Sequence, residues 1–154
     1  MPSNDDLLTV LRSHEGRGWT PKPPASEERV AETEKSLGFK FVADYRTLLL
    51  QSNGGRLSGG VSWITFDPLR DLLEFNNGEY YPELPGMFVF GGDEGDFIYY
   101  MDREGRFGKG PWAVFMVEKG AADRESSQYL APDLGRFIER ILAGDSFDDE
   151  PHLG

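Results

Sequence analysis

The chain has 154 residues, carries a formal net charge of −11 and contains no cysteine. This length suits one domain with a core large enough to fold without a disulfide or a metal, and the lack of cysteine excludes disulfides, thiol catalysis and cysteine-ligated metal sites. The negative charge argues against direct binding of nucleic acid or of an anionic membrane, since both need a cationic surface.

The N-terminal segment, residues 1–25, is expected to form a short helix and a connector outside the main domain. Apolar residues between Leu7 and Leu11 predict a helix that ends before Gly16. Residues 15–25 hold three prolines and two glycines and cannot sustain a helix. The sequence shows no apolar run of signal-peptide or membrane-span length, which predicts a cytoplasmic protein that does not enter a membrane.

Residues 26–143 are predicted to form the main domain, which begins with two helices. Ser26 is a candidate N-cap of the first helix, and two glutamates follow it where the helix dipole favours negative charge. Gly38 supplies the C-terminal stop of this helix. A second helix is predicted over residues 43–52, and the run Asn53-Gly54-Gly55 ends it.

From Gly60 onwards the apolar pattern changes from helical to alternating, which predicts strands. The predicted strands are residues 61–66, 87–90, 97–101 and 112–117. Asp67 and Pro68 are interpreted as the cap and the first position of a short helix, and an amphipathic helix is predicted over residues 132–143. Strands joined by short turns are antiparallel. The expected fold class is therefore α+β, a single domain with a mainly antiparallel sheet flanked by helices.

Two segments hold the excess negative charge. Residues 71–102 contain no lysine or arginine but eight acidic residues and eight Phe or Tyr side chains. Residues 144–154 form an acidic tail with four acids and no base, and we expect a solvated end there. Carboxylates steer and pair with a basic partner, and aromatic rings supply packing area. Residues 71–102 thus favour binding of a basic protein; alternatively, the rings fill the core and the acids keep the surface soluble.

The candidate partner-binding residues lie in a loop, residues 76–86, and in a glycine-rich turn, residues 91–96. We expect both segments to be exposed, since loops carry much of the binding in proteins. The candidates are Glu79, Tyr80, Tyr81 and Glu83 in the loop and Asp93, Glu94 and Asp96 in the turn. The turn lacks the alternating Asp/Asn pattern of a calcium loop, and its glycines suit a turn with positive φ.

The residues that carry enzymatic chemistry are sparse in this sequence. The histidines are His14, in the early connector, and His152, near the C-terminus. A Ser–His–Asp triad or a histidine-ligated metal would have to use one of them. The sequence has no Gly-x-Ser-x-Gly, phosphate-loop or His-Glu-x-x-His motif. We therefore expect no catalytic residue, no metal site and no cofactor.

Two sequence motifs and a closing helix resemble the SMI1/KNR4 (SUKH) superfamily. Residues 37–55 (LGFKFVADYRTLLLQSNGG) are similar to the N-terminal signature of those proteins, in which Val42 stands where proline is common. Residues 87–102 (MFVFGGDEGDFIYYMD) are similar to the second signature, a strand that leads through an acidic glycine turn into an aromatic strand. The predicted final helix, with Phe137 and Ile138, matches the usual end of the family.

This resemblance implies an SMI1/KNR4-like fold and a binding module without catalytic residues. Many bacterial members resemble immunity proteins that neutralise polymorphic toxins, including nucleases, and fungal relatives are regulatory proteins tied to cell-wall synthesis. The preferred hypothesis is an immunity protein that binds a cognate toxin with a basic surface. The alternatives are a regulatory scaffold for several host partners and an acid-catalysed hydrolase. The protein is expected to be a monomer or, if the apolar strand 87–90 lies at a sheet edge, a homodimer.

Overall fold

The computed structural model describes residues 4–154, which fold into one antiparallel sheet and flanking helices. The helices are α1 (Asn4–Ser13), α2 (Glu27–Leu37), α3 (Ala43–Gln51), α4 (Leu69–Phe75) and α5 (Leu134–Leu142), with a short 3-10 helix at Lys119–Ala121. The strands are β1 (Trp19–Thr20), β2 (Gly55–Ser58), β3 (Trp63–Phe66), β4 (Met87–Gly92), β5 (Phe97–Asp102), β6 (Ala113–Glu118) and β7 (Gln128–Ala131). This architecture confirms the predicted α+β fold class.

The sheet is a meander in which every strand pairs with the next strand along the chain. The order is β1-β2-β3-β4-β5-β6-β7, and each pairing is antiparallel. Short connections give the antiparallel pairing of β2 with β3 and of β4 through β7 directly, whereas α2 and α3 lie between β1 and β2, and α4 lies between β3 and β4. Strand β4 therefore lies inside the strand order, and the edge strands are β1 and β7. Residues 87–89 pair with β5 on one side, whereas β3 pairs with β4 only at Gly91 and Gly92 on the other side, so the homodimer stays a prediction.

Helices cover one face of the sheet. Tyr45 of α3 packs against Phe88 and Phe90 of β4, with ring centroids 5.3 and 6.0 Å apart. Phe137 of α5 packs against Phe90 and against Tyr99 of β5, at 6.0 and 5.1 Å. All five side chains are buried. Their removal from water is the main free-energy contribution that holds helices and sheet together.

Loops cover the opposite face of the sheet. Val89, Ile98 and Phe115 form a second buried cluster there. The ring of Phe107, from the connection between β5 and β6, lies 5.7 Å from that of Phe115. Leu84, from the loop 76–86, is also buried in this cluster. Both faces of the central strands are thus apolar, which explains why the first five consecutive residues of β4 are buried rather than alternate ones.

The helix ends confirm two capping predictions and correct a third. The Ser26 hydroxyl accepts a hydrogen bond from the Arg29 N–H at 3.2 Å, and Gly38 ends α2 with a φ of 87°. Asp67 is not the cap of α4, since Pro68 occupies the cap position. The Leu69 N–H donates instead to the Asn53 side-chain oxygen, at 2.8 Å. The amide of Asn53 thus does the capping, and the Asp67 carboxyl points elsewhere.

Both ends of the described chain pack against the core. Leu7, Leu11 and Trp19 are buried in the cluster beneath the helices. In the tail, Phe147 is buried, and Glu150 accepts hydrogen bonds from Arg140 and, through its carbonyl, from Gln128, each at 2.8 Å. The expectation of a solvated C-terminal end is therefore wrong, because an aromatic ring anchors it. The domain boundaries at residues 26 and 143 stay a prediction.

None of the helices within residues 4–154 is long and apolar enough to cross a membrane.

Candidate functional site

A pocket of about 170 Å³ opens on the loop-covered face of the sheet, where β3, β4 and β5 lie side by side. Thr65 of β3 pairs with Gly92 of β4, and Gly92 pairs with Ile98 of β5. Paired residues of neighbouring strands share a face, so these three residues form the floor, together with Val89. Gly92 contributes no side chain to the floor, and a Cβ at this position would lie 3.0 Å from the Phe97 carbonyl oxygen.

The walls of the pocket come from five separate parts of the chain. Besides the floor and its neighbour Gly91, the lining residues are Asp67 after β3, Phe75 at the end of α4, Tyr81 of the loop 76–86, Glu94 of the turn 91–96 and Lys119 after β6. The structure thus brings together one predicted residue of the loop, Tyr81, and one of the turn, Glu94. The other predicted residues, Glu79, Tyr80, Glu83, Asp93 and Asp96, do not line the pocket.

Asn76 anchors the loop that carries Tyr81. Its side-chain oxygen accepts from the Val89 N–H at 2.8 Å, and its amide nitrogen donates to the Val89 carbonyl at 2.8 Å and to the Leu72 carbonyl at 2.9 Å. Strand β3 pairs with β4 only at Gly91 and Gly92. The Asn76 side chain therefore takes the place of a missing strand neighbour for Val89.

Replacing Asn76 by alanine is expected to lower the free energy of unfolding by about 2 kcal/mol, because the variant orphans two backbone groups of Val89. Loss of the anchor also frees the loop beside the pocket, so we expect faster amide hydrogen exchange in residues 78–86. Urea unfolding and hydrogen-exchange mass spectrometry measure both effects. The matched control is Asn77→Ala, which removes a single hydrogen bond within the loop. Equal losses in the two variants would contradict the anchoring role.

The carboxylate of Asp93 stabilises the backbone of the turn 91–96 through hydrogen bonds. One of its carboxylate oxygens accepts from the backbone N–H groups of Gly95 and Phe97, at 2.9 and 3.1 Å. Its carbonyl accepts from the Trp63 indole N–H at 2.7 Å. This pattern is the side-chain turn that aspartate forms with the backbone two residues later. Asp93 is thus explained by local structure.

Glu94 lies next to the pocket with its carboxylate held in the charged form. The backbone there has a φ of 66°. The carboxylate accepts hydrogen bonds from the Thr65 hydroxyl and from Arg56, the latter at 3.2 Å. The Thr65 hydrogen bond, followed by the charge of Arg56, keeps the pKa of Glu94 below its usual value.

Asp67 is the carboxyl group that burial perturbs most at this site. Burial raises the pKa of Asp67 to about 7, the neighbouring charge of Asp71 adds to the increase, and Lys119 opposes it. Asp67 forms no salt bridge with any residue between 4 and 154. Burial, and then the charge of Asp67, also raises the pKa of the Tyr81 hydroxyl. The pocket therefore contains a carboxyl group that forms no salt bridge within residues 4–154, although the charge of Lys119 acts on it.

The remaining predicted residues lie on exposed surface. Tyr80 is half exposed; its ring packs edge-on against Phe75 at 5.4 Å, and its hydroxyl donates to Glu74 at 3.0 Å. The carboxylates of Glu79, Glu83 and Asp96 are exposed and form no salt bridge with any residue that the structure describes. These three carboxylates are available to an outside partner.

Sequence reasoning missed four residues that line the pocket. The sequence pattern indicates Thr65 only as a strand residue and Asp67 as a helix cap, and it gives no reason to select Phe75 or Lys119. Asp67 could have been predicted as a site residue, because an acidic residue directly after a buried strand lies near the sheet surface. Lys119 and Phe75 could not have been predicted, because their positions relative to β4 depend on how distant segments pack.

Comparison with known proteins places the chain in a family. One relative, an uncharacterized protein called YnaB from Bacillus subtilis (strain 168), is 34% identical over 62 residues. That alignment covers 40% of this chain and 41% of YnaB, so the chain matches less than half of its relative's length. The sequence model of the SMI1/KNR4 family (SUKH-1) matches residues 24–140, which span α2 through most of α5. The chain belongs to the SMI1/KNR4 family.

Proposed function

We propose that this protein is a non-enzymatic binding module, an immunity protein that neutralises a cognate toxin in the cytoplasm by tight stoichiometric binding. The observation that supports it most is the set of exposed carboxylates without ion pairs, Glu79, Glu83 and Asp96, on the two segments that flank the pocket. The SMI1/KNR4 family is not known as a family of enzymes, which agrees with a role in binding proteins.

The charge of this surface determines what kind of partner fits. Residues 71–102 carry eight acids and no base, so a basic protein would be attracted along the whole segment. A nuclease toxin has a cationic cleft for nucleic acid, and an acidic protein that occupies the cleft competes with that substrate. Tyr80 adds a half-exposed aromatic ring that can pack against the partner.

The proposal is tested first by capture of a partner from lysate of the native host. The protein is used as bait, the beads are washed at low and high salt, and bound proteins are identified by mass spectrometry. One stoichiometric protein that is toxic when expressed alone supports the proposal. Several weakly bound proteins would instead favour a regulatory scaffold, and would contradict neutralisation of a single toxin.

Charge reversal of the free carboxylates is expected to slow association with the captured partner. The variant carries Glu79→Lys, Glu83→Lys and Asp96→Lys; Asp93 is left in place because it holds the turn. We expect the association rate at low salt to fall about tenfold or more and to lose most of its salt dependence, since steering is electrostatic. Stopped-flow mixing measures both quantities.

A control variant tests whether the slower association depends on the positions of Glu79, Glu83 and Asp96 rather than on net charge. Glu32, Asp148 and Asp149 are exposed acids in α2 and in the tail, and their reversal to lysine changes the net charge by the same amount. We expect this control to slow association much less. If both triple variants slowed association equally, only the overall charge would matter and the proposed surface would be wrong.

A further inference from the structure

We propose that the pocket between β3, β4 and β5 receives one arginine side chain of the partner protein, with its guanidinium group at Asp67. This inference rests on the proposed function for the identity of the partner. The chemistry of the pocket can nevertheless be tested without the partner, because a small arginine derivative presents the same group.

The charged residues that line the pocket favour a positively charged guest. Asp67 lies in the lining without a salt bridge, and Glu94, in the same lining, is held in its charged form by Thr65 and Arg56. The cation in the lining is Lys119, whose side chain is exposed and forms no salt bridge with any residue in 4–154. A partly buried carboxylate without a salt bridge is stabilised by a guest that brings a cation within hydrogen-bond distance.

The volume of the pocket and its aromatic lining residues favour a guest that is one planar side chain. Its volume of about 170 Å³ is below the roughly 300–1,000 Å³ of pockets that hold small-molecule ligands. Tyr81 and Phe75 supply aromatic rings, on whose faces a guanidinium group stacks better than an ammonium group. The floor at Gly92 has no side chain, so a flat group can approach the sheet there. Together these features favour arginine over lysine.

The inference makes binding depend on pH in a defined direction. A cation beside Asp67 favours its charged form, so the carboxyl group releases a proton when the guest binds. The groups that face Asp67 are the charges of Asp71 and Lys119 and the hydroxyls of Tyr45 and Tyr81, and burial raises the pKa of both hydroxyls. Affinity should therefore rise as pH increases from 6 to 8, through the pKa of Asp67 at about 7.

The direct test uses the full chain and the probe N-acetyl-argininamide, with N-acetyl-citrullinamide as the uncharged probe of the same shape. Binding is followed by NMR shifts of Tyr81 and Ile98. We expect millimolar affinity for the arginine probe, about fivefold tighter at pH 8 than at pH 6, and at least tenfold weaker binding of the citrulline probe. Equal binding of the two probes would overturn the inference.

Two variants test which pocket residues bind the arginine probe, because we expect them to change its affinity in opposite directions. Asp67→Asn should weaken binding of the arginine probe about tenfold at pH 8 and abolish the pH dependence. Lys119→Gln removes the competing cation and should tighten binding severalfold. Lys109→Gln is the matched control; Lys109 lies 5.1 Å from the ring of Tyr129, away from the pocket lining, and its replacement should change nothing. Unchanged affinity in Asp67→Asn would refute the assignment of that carboxyl group.

The outcomes separate this inference from the proposed function. If the protein captures a toxin but Asp67→Asn binds that toxin with unaltered affinity and pH profile, the pocket assignment fails and the immunity role stands. If the arginine probe binds as described but no toxic protein is captured, the pocket accepts arginine and the proposed function fails.

Discussion

Replacing Phe147 by alanine is expected to lower the free energy of unfolding by about 3–5 kcal/mol, the usual loss for a fully buried ring. Phe147 is 3% exposed. Its ring lies 5.9 Å from that of Phe137 and 6.4 Å from that of Tyr99, and the Arg140 guanidinium is 5.0 Å above it. The alanine variant leaves a cavity between the tail, α5 and β5, and it removes the anchor of residues 144–154.

Urea unfolding monitored by tryptophan fluorescence measures this loss. The matched controls are Asp148→Ala and Asp149→Ala, whose side chains are exposed in the same segment and whose removal should change the stability by less than about 0.5 kcal/mol. A loss below 1 kcal/mol for Phe147→Ala, about the same as the controls, would mean that the tail does not form part of the fold in solution.

Replacing Asp67 by asparagine is expected to increase the free energy of unfolding at pH 8 by on the order of 3 kcal/mol, because the folded protein no longer holds a charge in a partly buried site. The pKa of Asp67 is about 7 in the folded protein against 3.8 for an ordinary aspartate. Between these values the folded chain binds more protons than the unfolded chain. Its stability therefore falls as pH rises from 4 to 7, and the whole loss is present above pH 7.

The measurement is a series of urea unfolding curves for both proteins between pH 4 and pH 8. Their difference in stability should be smallest near pH 4, grow as pH rises to 7 and then stay constant. Asp44, whose pKa burial also raises, contributes the same slope to both proteins and cancels in the difference. Asp71→Asn is the control beside the pocket; it should lower the pKa of Asp67 by removing a like charge. A difference that did not vary with pH would show that Asp67 is not perturbed.

An increase in stability on removing Asp67 would also have a functional meaning. A charged group that lowers stability and forms no salt bridge with the described part of the chain is typical of a binding site, where function is retained at a cost in stability. Asp93 illustrates the opposite case, because its carboxylate holds the backbone of the turn. The two aspartates lie near the same pocket, and only Asp67 is expected to be dispensable for folding.

Local sequence signals were sufficient for most of the secondary structure. Ser26, Gly38 and the alternation from Val61 to Phe66 each act within a few residues, and the elements that they predict are present in the structure. Strand β1 has two residues, too few for an alternating pattern, and β2 has a single large apolar residue, Leu57. In β7 the apolar residues Tyr129, Leu130 and Ala131 are consecutive and do not alternate with polar ones. Asp67-Pro68 was misassigned because a side chain distant in sequence, that of Asn53, caps α4 instead.

The sequence by itself determined the α+β class, the order of the main elements, the acidic surface and the resemblance to the SMI1/KNR4 family, since each depends on composition or on neighbouring residues. Only the tertiary structure decided that β4 is central, that the tail is packed, and that Tyr81 and Glu94 share a pocket with Asp67 and Lys119. The physical reason is that a pocket is formed by strand register and long-range packing, and neither leaves a local pattern in the sequence.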